Sequence, residues 1–456
     1  MIVAALLVLV LGLATGVVAR RSVLARPPRA AHFPGQPAGI ADRPPVRFRV
    51  WALIAAVLTA AVLVSAFVEP AVALVVAVVG SLTLAVIAGL LHRYARECAQ
   101  GAAAVDAYAP TIAIPYAGKV GVHIGMWSPW VERTGVRWCI VARTPALFGQ
   151  LAEMYPTVPI VQGQIPASVR GALYPHGAAA NADFIAGSSA THAFLGHGDS
   201  DKPLSASERV LQYDLIAVAG QAAIDRFAAA GLSIPADKLR IIGRPQTEGI
   251  VPATGPTPHP ATVLYAPTWR HADDNLNVSS LAVADRIVQA LLDHGCTVVF
   301  RRHFAGQNHA EAEAMIVRVN DLLEADAAST GRPHRWGQAA MDEPLIEAFN
   351  SVDAMVSDVS GIVVDFMASN KPLIMYAAQY ADPEAFRAAH PTAAAAYVID
   401  RDLVRLDETL DAALGSDPLA AARAERADHY LGGPDRADPA RRFMDLVTEL
   451  ATRPVE

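Results

Sequence analysis

The hydrophobic pattern between Asp353 and Tyr376 predicts a strand, a turn, a helix and a second strand. Ala354–Val356 is a short apolar run, as in a buried strand. Capping and small residues typical of a helix start follow it: Ser357, Asp358, Ser360 and Gly361. Apolar residues then recur at helical spacing up to Lys371-Pro372, where the helix is predicted to end before a strand at Leu373–Tyr376. Such a turn presents N–H groups and the positive end of a helix dipole, which favours a diphosphate.

Similar alternation continues through the chain after Thr111. Further predicted strands lie at residues 112–114, 140–141, 160–161, 184–186, 193–195, 215–218, 239–242, 262–265 and 297–300. Helical stretches are predicted at 146–155, 221–230, 281–294, 345–350 and over most of 403–452, with breaks at Pro418 and Gly432-Gly433. Strands that alternate with helices indicate an α/β protein with parallel sheets. Four prolines within 252–260 predict a linker.

The amino-terminal region has a different pattern, with three apolar runs at residues 2–19, 51–68 and 71–91. Each is long enough to cross a hydrocarbon core as a helix, although one could instead be a buried or interfacial helix. Arginines concentrate between the first two runs and after the third. The positive-inside rule then predicts a multi-pass protein of the cell membrane, with its amino terminus outside and its globular part cytoplasmic. The predicted division is 1–110 membrane region, 111–251 and 261–400 globular domains, and 401–456 carboxyl-terminal helices that pack back on the domains.

Composition narrows the function classes. A formal net charge of −7 argues against a nucleic-acid partner. The cysteines Cys98, Cys139 and Cys296 are odd in number and widely spaced, which excludes a cysteine-rich zinc site and suits a reducing compartment. No HExxH or aspartate-rich metal motif is present, so no metal or other cofactor is expected.

Two histidines of the first globular half are candidates for chemistry. His197 stands between two glycines directly after a predicted strand, where crevices of open sheets form. An imidazole there is a candidate general base for a hydroxyl, and a histidine hydrogen-bonded in a turn is the competing interpretation. His123, near Trp127 and Trp130, is a weaker candidate for an acceptor groove, with a structural role as its alternative.

Cationic residues follow two predicted strands of the second half. Arg270 ends the first of them, where a guanidinium can bind phosphate at two points. Arg301-Arg302-His303 ends the second, and a solvated basic turn is the alternative. Because parallel strands share one carboxyl edge, we expect these groups to lie near Ser360-Gly361 and to form one anion site.

The order of these motifs resembles the CDP-glycerol glycerophosphotransferase family, the teichoic-acid primases and polymerases. The motifs are His197-Gly198 with Lys202, Gly243-Arg244-Pro245, Tyr265 to Arg270, Arg302-His303, and Asp358 to Gly361 with Asp365-Phe366. The similarity covers about residues 111–400. It departs from the family pattern at Asp199-Ser200-Asp201, Arg244, Gln246, Phe304 and Val359-Ser360-Gly361, which bears on the acceptor and the transferred group more than on the fold.

The resemblance implies a GT-B-like fold, in which two Rossmann-like domains face a cleft after the transmembrane helices. His197 would be the general base, and His303 would neutralise the diphosphate. Donor-binding residues would be Arg270, Thr268, Arg302, Ser360, Gly361, Asp358 and Asp365. The acceptor side would comprise Lys202, Arg244 and His123. The partners implied are a nucleotide-activated donor, a lipid-linked or polymer acceptor and the membrane; a homo-oligomer is compatible with this sequence.

Three functions follow from this pattern. The first is transfer of glycerol phosphate, or a related alditol phosphate, from a CDP-activated donor to an acceptor hydroxyl. The second is glycosyl transfer from a nucleotide sugar, because the same anion-binding strand ends would serve that donor. The third is a non-catalytic membrane-bound scaffold, favoured by the altered residues after His197.

Overall fold

The computed structural model describes residues 14, 29–36, scattered positions between 53 and 64, and then 69–119, 121–196, 198, 207–271, 273, 277–303, 309–433 and 438–454. Contacts within these residues divide the chain into two compact units. The first comprises 1–125, 134–192 and 447–456, and the second comprises 126–133 and 193–446. The predicted domain limits differ from these contact units and stay a prediction.

The first unit is built on a mainly parallel sheet. Its strands are β1 (Ala30–Ala31), β2 (Ile112–Tyr116), β3 (Trp138–Ala142), β4 (Ile160–Gln162) and β5 (Gly171–Tyr174). They lie in the order β1-β4-β3-β2-β5, and only β1 pairs antiparallel to its neighbour. Residues of β2, β3 and β5 are buried on both faces, which explains their continuous apolar runs.

Helices of the first unit connect these strands and precede them. They are Pro70–Tyr108, Val122–Gly125, Pro145–Met154 and Asn181–Ala186. Thr144 begins Pro145–Met154 by accepting a hydrogen bond at its side chain from the Leu147 N–H. The residues 184–186 were predicted as a strand and this is wrong, because they end the helix Asn181–Ala186. A three-residue apolar run cannot by itself separate a buried strand from the inner face of a short helix.

The helix Pro70–Tyr108 begins at the predicted Glu69-Pro70 turn and is 39 residues long. Within the described part of the chain it is the one helix long and apolar enough to cross a membrane. It continues beyond the predicted end at residue 91, since Ala-rich sequence follows and no proline occurs before Pro110. The predicted span 2–19 lies outside the described residues except for residue 14, and 51–68 lies largely outside them. Multi-pass insertion therefore stays a prediction.

The second unit contains two groups of parallel strands. The shorter group is β6 (Thr191–Phe194), which begins at the boundary between the units, β7 (Leu215–Val218) and β8 (Leu239–Ile241), paired in that order. The other group is β9 (Thr262–Ala266), β10 (Thr297–Phe300), β11 (Ala354–Ser357), β12 (Leu373–Ala377) and β13 (Tyr397–Asp400). These five strands form an all-parallel sheet in the order β10-β9-β11-β12-β13.

Helices cover both faces of the five-stranded sheet. Successive residues of β9 point to opposite faces, so Val263 and Tyr265 join one apolar core and Leu264 and Ala266 join the other. The helices of this unit are Ser128–Arg133, Gln221–Ala229, Ala284–Asp293, Ala310–Thr330, Gly337–Asp342, Leu345–Ser351, Gly361–Met367, Pro383–Ala389, Leu406–Leu414, Ala420–Leu431 and the start of Arg441–Thr452. The predicted α/β class is thereby confirmed for both units.

Several element limits differ from the predictions. The predicted helix 281–294 begins as a 3-10 turn, Ser280–Val283, and becomes α-helical at Ala284. The helix Gly361–Met367 ends before Lys371-Pro372, because Asn370 adopts a left-handed conformation with φ 54°. The helix Ala310–Thr330 was not predicted, since its many alanines and charges weaken the apolar period.

Candidate functional site

The carboxyl edge of the five-stranded sheet carries most of the predicted donor-binding residues. Numbered along the chain, its strands lie in the order 2-1-3-4-5, so the connections diverge between β9 and β11. Open α/β sheets bind ligands at such a switch point, outside the carboxyl ends of the strands. Thr268 and Arg270 follow β9, Arg302 and His303 follow the adjacent β10, and Ser360 follows β11. The expectation that these three strand ends share one edge is confirmed.

Asp358 joins two segments of this edge by hydrogen bonds. Its carboxylate is fully buried and accepts hydrogen bonds from the N–H of Thr268 at 2.7 Å and of Ser280 at 3.1 Å. The neighbouring Ser357 hydroxyl donates to the carbonyl of Ala266 at 2.7 Å. Since its two oxygens accept the backbone N–H groups of Thr268 and Ser280, the carboxylate fixes the positions of both segments at this edge.

The same network includes Thr268 and the turn Ser279-Ser280. The Ser279 hydroxyl donates to the carbonyl of Thr268 at 2.7 Å, and the hydroxyls of Tyr265 and Ser280 lie 2.8 Å apart. Burial raises the pKa of the Tyr265 hydroxyl well above its ordinary value, and the charge of Asp358 adds to this. Tyr265 is therefore a neutral donor in a buried polar network that holds the loop before Arg270.

The cations of this edge differ in their partners. Arg270 is partly exposed and pairs with Glu311 at 3.1 Å, at the start of the helix Ala310–Thr330. Arg301 donates to the carbonyls of Ala340 at 2.7 Å and Glu343 at 2.6 Å, at the end of the helix Gly337–Asp342. Arg301 therefore stabilises a helix terminus.

Arg302 and Ser360 are the polar groups at this edge best placed to receive a ligand. Arg302 is half-buried and has no hydrogen-bond or ion-pair partner among the described residues. Ser360 is the residue before the helix Gly361–Met367, and within the described chain its hydroxyl caps no N–H of that helix. Gly361 begins the helix beside it, half-buried. A guanidinium, a hydroxyl and His303 therefore stand at the ends of β10 and β11.

Arg244 and Asp365 bind each other. Arg244 Nε lies 2.6 Å from Asp365 Oδ1 and Nη2 lies 3.2 Å from Oδ2, and both residues are buried. Arg244 follows β8 and Asp365 lies on Gly361–Met367, so the pair joins two segments distant in sequence. The separate acceptor and donor roles predicted for them stay predictions, while the geometry gives both a structural function.

The predicted general base, His197, directly follows Gly196 in the sequence. His197 and Lys202 lie outside the described residues, whereas Gly196 is described. The Trp127 indole N–H donates to the carbonyl of Gly196 at 2.9 Å, and its ring contacts Phe443 with centroids 4.8 Å apart. Gly196 has φ 68°, a conformation that other residues adopt at a cost. The strand end before His197 is therefore held in place.

The first unit has a switch point of its own, between β2 and β5. His123 lies on the short helix Val122–Gly125 after β2, and its Nδ1 is 3.0 Å from the hydroxyl of Tyr116, the last residue of that strand. His176 follows β5 and stacks on His123, with ring centroids 5.2 Å apart and an interplanar angle of 10°. Two imidazoles and a phenol therefore meet at the carboxyl edge of this sheet.

Tyr116 and His176 were missed by the sequence analysis. β5 was not predicted, so His176 was not recognised as the residue that follows a strand end. Its context, Tyr174-Pro175-His176-Gly177 after an apolar pair, was a usable signal. Among the described residues, no group of three or more His, Cys, Asp or Glu side chains is placed to hold a metal ion.

Comparisons with solved structures give distant similarities. A wall teichoic acid polymerase, TagF, is 11% identical over 76% of this chain and 90% of its own, with a TM-score of 0.46. The UDP-GlcNAc 2-epimerase of Methanocaldococcus jannaschii is 10% identical over 74% and 99%, with a TM-score of 0.44. MnaA of S. aureus, solved with UDP, is 13% identical over 76% and 98%, with a TM-score of 0.46. Sequence identities and TM-scores as low as these do not indicate a shared activity.

The family comparison is more specific. No curated protein matches the chain significantly. Residues 205–389 match the family described as CDP-glycerol:poly(glycerophosphate) glycerophosphotransferase. This segment includes β7 to β12 and every predicted donor-binding residue. The resemblance predicted from the motifs is thus confirmed over residues 205–389, and the chain is an enzyme similar to the CDP-glycerol glycerophosphotransferases.

Proposed function

We propose that this protein is a membrane-anchored transferase of teichoic-acid synthesis that moves glycerol phosphate, or a related alditol phosphate, from a CDP-activated donor to a hydroxyl of a lipid-linked or cell-wall glycopolymer. The observation that carries the proposal is the family match over residues 205–389, the segment that forms the anion-favouring edge of the five-stranded sheet. The GT-B-like fold predicted for residues 111–400 belongs to the same proposal.

The donor diphosphate would lie at the ends of β9, β10 and β11. Arg302, with no protein partner among the described residues, supplies a guanidinium that binds phosphate oxygens at two points. Arg270 contributes a second guanidinium if Glu311, which is largely exposed, yields to the ligand. The Ser360 hydroxyl and His303 complete the set. Neutralising charge on a transferring phosphate is the largest part of such catalysis.

In the proposed reaction, the acceptor hydroxyl oxygen attacks the phosphorus that carries the glycerol. A bond forms between them, the bond from that phosphorus to the oxygen bridging to the cytidine phosphate breaks, and CMP leaves with the electron pair. His197 takes the hydroxyl proton as general base. Its role rests on the resemblance, supported by the fixed strand end at Gly196.

Membrane anchoring is supported by the surface of the helix Pro70–Tyr108. Large apolar residues of its first half are exposed, namely Val72, Leu74, Val75, Val78, Val79, Leu82, Val86 and Leu90. A band of this kind is costly in water and suits a lipid environment.

The second half of that helix packs on the protein. Val105 is buried, and Tyr108 contacts Phe33 edge to face with centroids 5.5 Å apart. Residues 29–36 belong to the basic segment between the first two apolar runs, and their strand β1 pairs with β4. This segment and the first sheet must therefore lie on one side of a membrane, as the proposed cytoplasmic orientation requires.

The test is a donor screen with the purified full chain in detergent. CDP-glycerol, CDP-ribitol and UDP-sugars are incubated with membrane extract as acceptor, and release of CMP or UDP is measured. We expect CMP release from a CDP-alditol, with a His197→Ala loss of roughly 10²–10⁴-fold. Release of UDP with sugar transfer would indicate the glycosyltransferase. Lack of both turnover and any thermal shift with CDP or CDP-glycerol would indicate the scaffold.

A further inference from the structure

The two imidazoles of the first unit, with Tyr116, form a compact polar group at a position where α/β sheets bind ligands. β3 and β5 pair with opposite sides of β2, so the chain connections diverge between β2 and β5. His123 and His176 stand at the carboxyl ends of these two strands. Both rings are half-buried, and a ligand above the sheet edge therefore has access to them.

The short helix Val122–Gly125, which carries His123, is tied at both ends to Tyr155. The Tyr155 hydroxyl donates to the carbonyl of Gly121 at 2.8 Å and accepts from the N–H of Gly125 at 2.9 Å. A Cβ on Gly121 would come within 2.3 Å of Leu151, and one on Gly118 within 2.7 Å of the Tyr116 hydroxyl. Glycines at these two positions allow the backbone to approach Tyr116 and Leu151 closely. Such preorganisation is typical of a binding site.

The protonation state of the pair defines the ligand it suits. Burial lowers the pKa of both histidines below the ordinary value, and a charge on His176 would lower the pKa of His123 further. Burial raises the pKa of Tyr116 to about 12. At neutral pH the group is therefore two uncharged imidazoles and a phenol. Such groups exchange hydrogen bonds with hydroxyls, whereas phosphate binds best to cations.

A cavity of about 280 Å³ lies further along the same sheet edge. Arg143 and Gly163, which follow β3 and β4, line it together with Gln164 and Asp183. Arg143 and Asp183 neutralise each other in an ion pair of 2.7 Å, and their remaining donors and acceptors suit polar, uncharged groups. The backbone joins this cavity to the histidine pair, since the N–H of Arg143 donates to the carbonyl of Tyr116 at 3.2 Å.

We propose that Tyr116, His123 and His176 form the site for the acceptor, and that they bind an uncharged, hydroxyl-rich terminus such as a polyol or a saccharide. Nδ1 of His123 is hydrogen-bonded to the Tyr116 hydroxyl, which orients the imidazole at this edge. The identification of the bound group as the acceptor rests on the proposed function. The binding of a hydroxyl-rich group at this site does not depend on that function. The inference adds His176 and Tyr116 to the residues that the motifs indicate.

Ligand-observed saturation-transfer NMR on the full chain in detergent tests this without turnover. The probes are a neutral methyl glycoside disaccharide, glycerol and glycerol 3-phosphate, each at millimolar concentration. We expect saturation transfer to the disaccharide and glycerol, and its loss in His123→Gln and His176→Gln. Transfer to glycerol 3-phosphate that is stronger than to glycerol and is lost in His123→Gln and His176→Gln would overturn the assignment of an uncharged ligand; transfer that both variants keep belongs to the proposed donor edge.

Tyr174→Phe is the matched control for Tyr116→Phe. Tyr174 also bonds a histidine, with its hydroxyl 2.9 Å from His192 Nδ1, but both residues are buried within the sheet. The two changes remove equivalent hydroxyls, so their effects on folding should be similar, whereas only Tyr116→Phe should weaken probe binding. Equal probe binding in the two variants, or full binding in both glutamine variants, would refute the site.

Kinetics separate this inference from the function on which it rests. If the wild type releases CMP, the His123 and His176 variants should raise the acceptor KM about tenfold or more, as loss of a hydrogen bond to the ligand implies, and leave the donor KM unchanged. If the wild type binds the neutral probes but no CDP-alditol, the proposed function fails and the site stands. If CDP-glycerol is turned over with unchanged acceptor KM in both variants, the site fails and the function stands.

Discussion

Arg244 and Asp365 form a buried two-point ion pair, with contacts of 2.6 and 3.2 Å, between the segment after β8 and the helix after β11. Neither charge is exposed enough to be stabilised by water, so each depends on the other. The motifs predict different ligands for these residues, which stays a prediction, and in the structure the two side chains bind each other. Their separation by 121 positions makes the pair a tertiary link within the second unit.

This ion pair predicts a large asymmetry between single and double substitutions. Arg244→Met or Asp365→Leu alone leaves a buried unpaired charge and should cost about 3–5 kcal/mol of unfolding free energy. The double variant removes both charges and should cost clearly less than the sum. The measurement is thermal and denaturant unfolding of the full chain; strictly additive losses would show that the residues do not depend on each other.

Substitution of Asp358 should lower the stability of the protein and, through the loop that it holds, weaken donor binding. In Asp358→Asn, an NH2 group replaces one carboxylate oxygen, so one of the N–H groups of Thr268 and Ser280 loses its acceptor. Loss of a charge-assisted hydrogen bond costs about 1.5–3 kcal/mol. We expect a lowered melting temperature and a raised donor KM together, since the loop before Arg270 loosens. The control is Val359→Ala at the buried neighbouring position, which keeps the carboxylate and should leave the donor KM unchanged. A wild-type melting temperature in Asp358→Asn would contradict this role.

Arg302 and Arg301 are adjacent, but their substitution should affect different properties: donor affinity for Arg302 and stability for Arg301. Arg302→Ala removes a proposed donor contact and no described protein contact, so CDP-glycerol should bind about 10–100-fold more weakly, equivalent to a charged hydrogen bond of about 1.5–3 kcal/mol, with unchanged melting temperature. Arg301→Ala removes bonds to the carbonyls of Ala340 and Glu343 and should lower the melting temperature. Calorimetric titration and thermal unfolding distinguish the two; unchanged affinity in Arg302→Ala would contradict its role.

The stacked histidines predict how stability depends on pH. Because the pKa of His123 and of His176 is lowered on folding from an ordinary 6.5, the unfolded chain binds more protons just below that pH. Their contribution is complete above about pH 6.5 and is lost as pH falls through the folded values, by about 1.4 kcal/mol for each unit of lowering. The melting temperature should therefore fall more steeply between about pH 7.5 and about 5.5 in the wild type than in a His123→Asn/His176→Asn variant. Parallel curves for the two proteins would contradict it.

Much of the fold was predictable from the local sequence. The strand Thr297–Phe300 has the predicted limits, because a buried parallel strand is a continuous apolar run bounded by polar residues. The position of Arg302 and Ser360 at one sheet edge was also predictable, since parallel strands share their carboxyl ends. Residues 184–186 were assigned to the wrong element and the strand Gly171–Tyr174 was missed, because short apolar runs alone do not distinguish helix from strand.

The sequence by itself determined which residues are apolar and at what period, and with them the α/β class, the strand ends and the family motifs. The tertiary structure decided which strand ends adjoin: β5 pairs beside β2, and this brings His176 onto His123. It also decided that Arg244 meets Asp365. Periodicity reports which face of an element is buried, whereas the partner across that face follows from the order of strands in the sheet, which depends on packing of the whole chain.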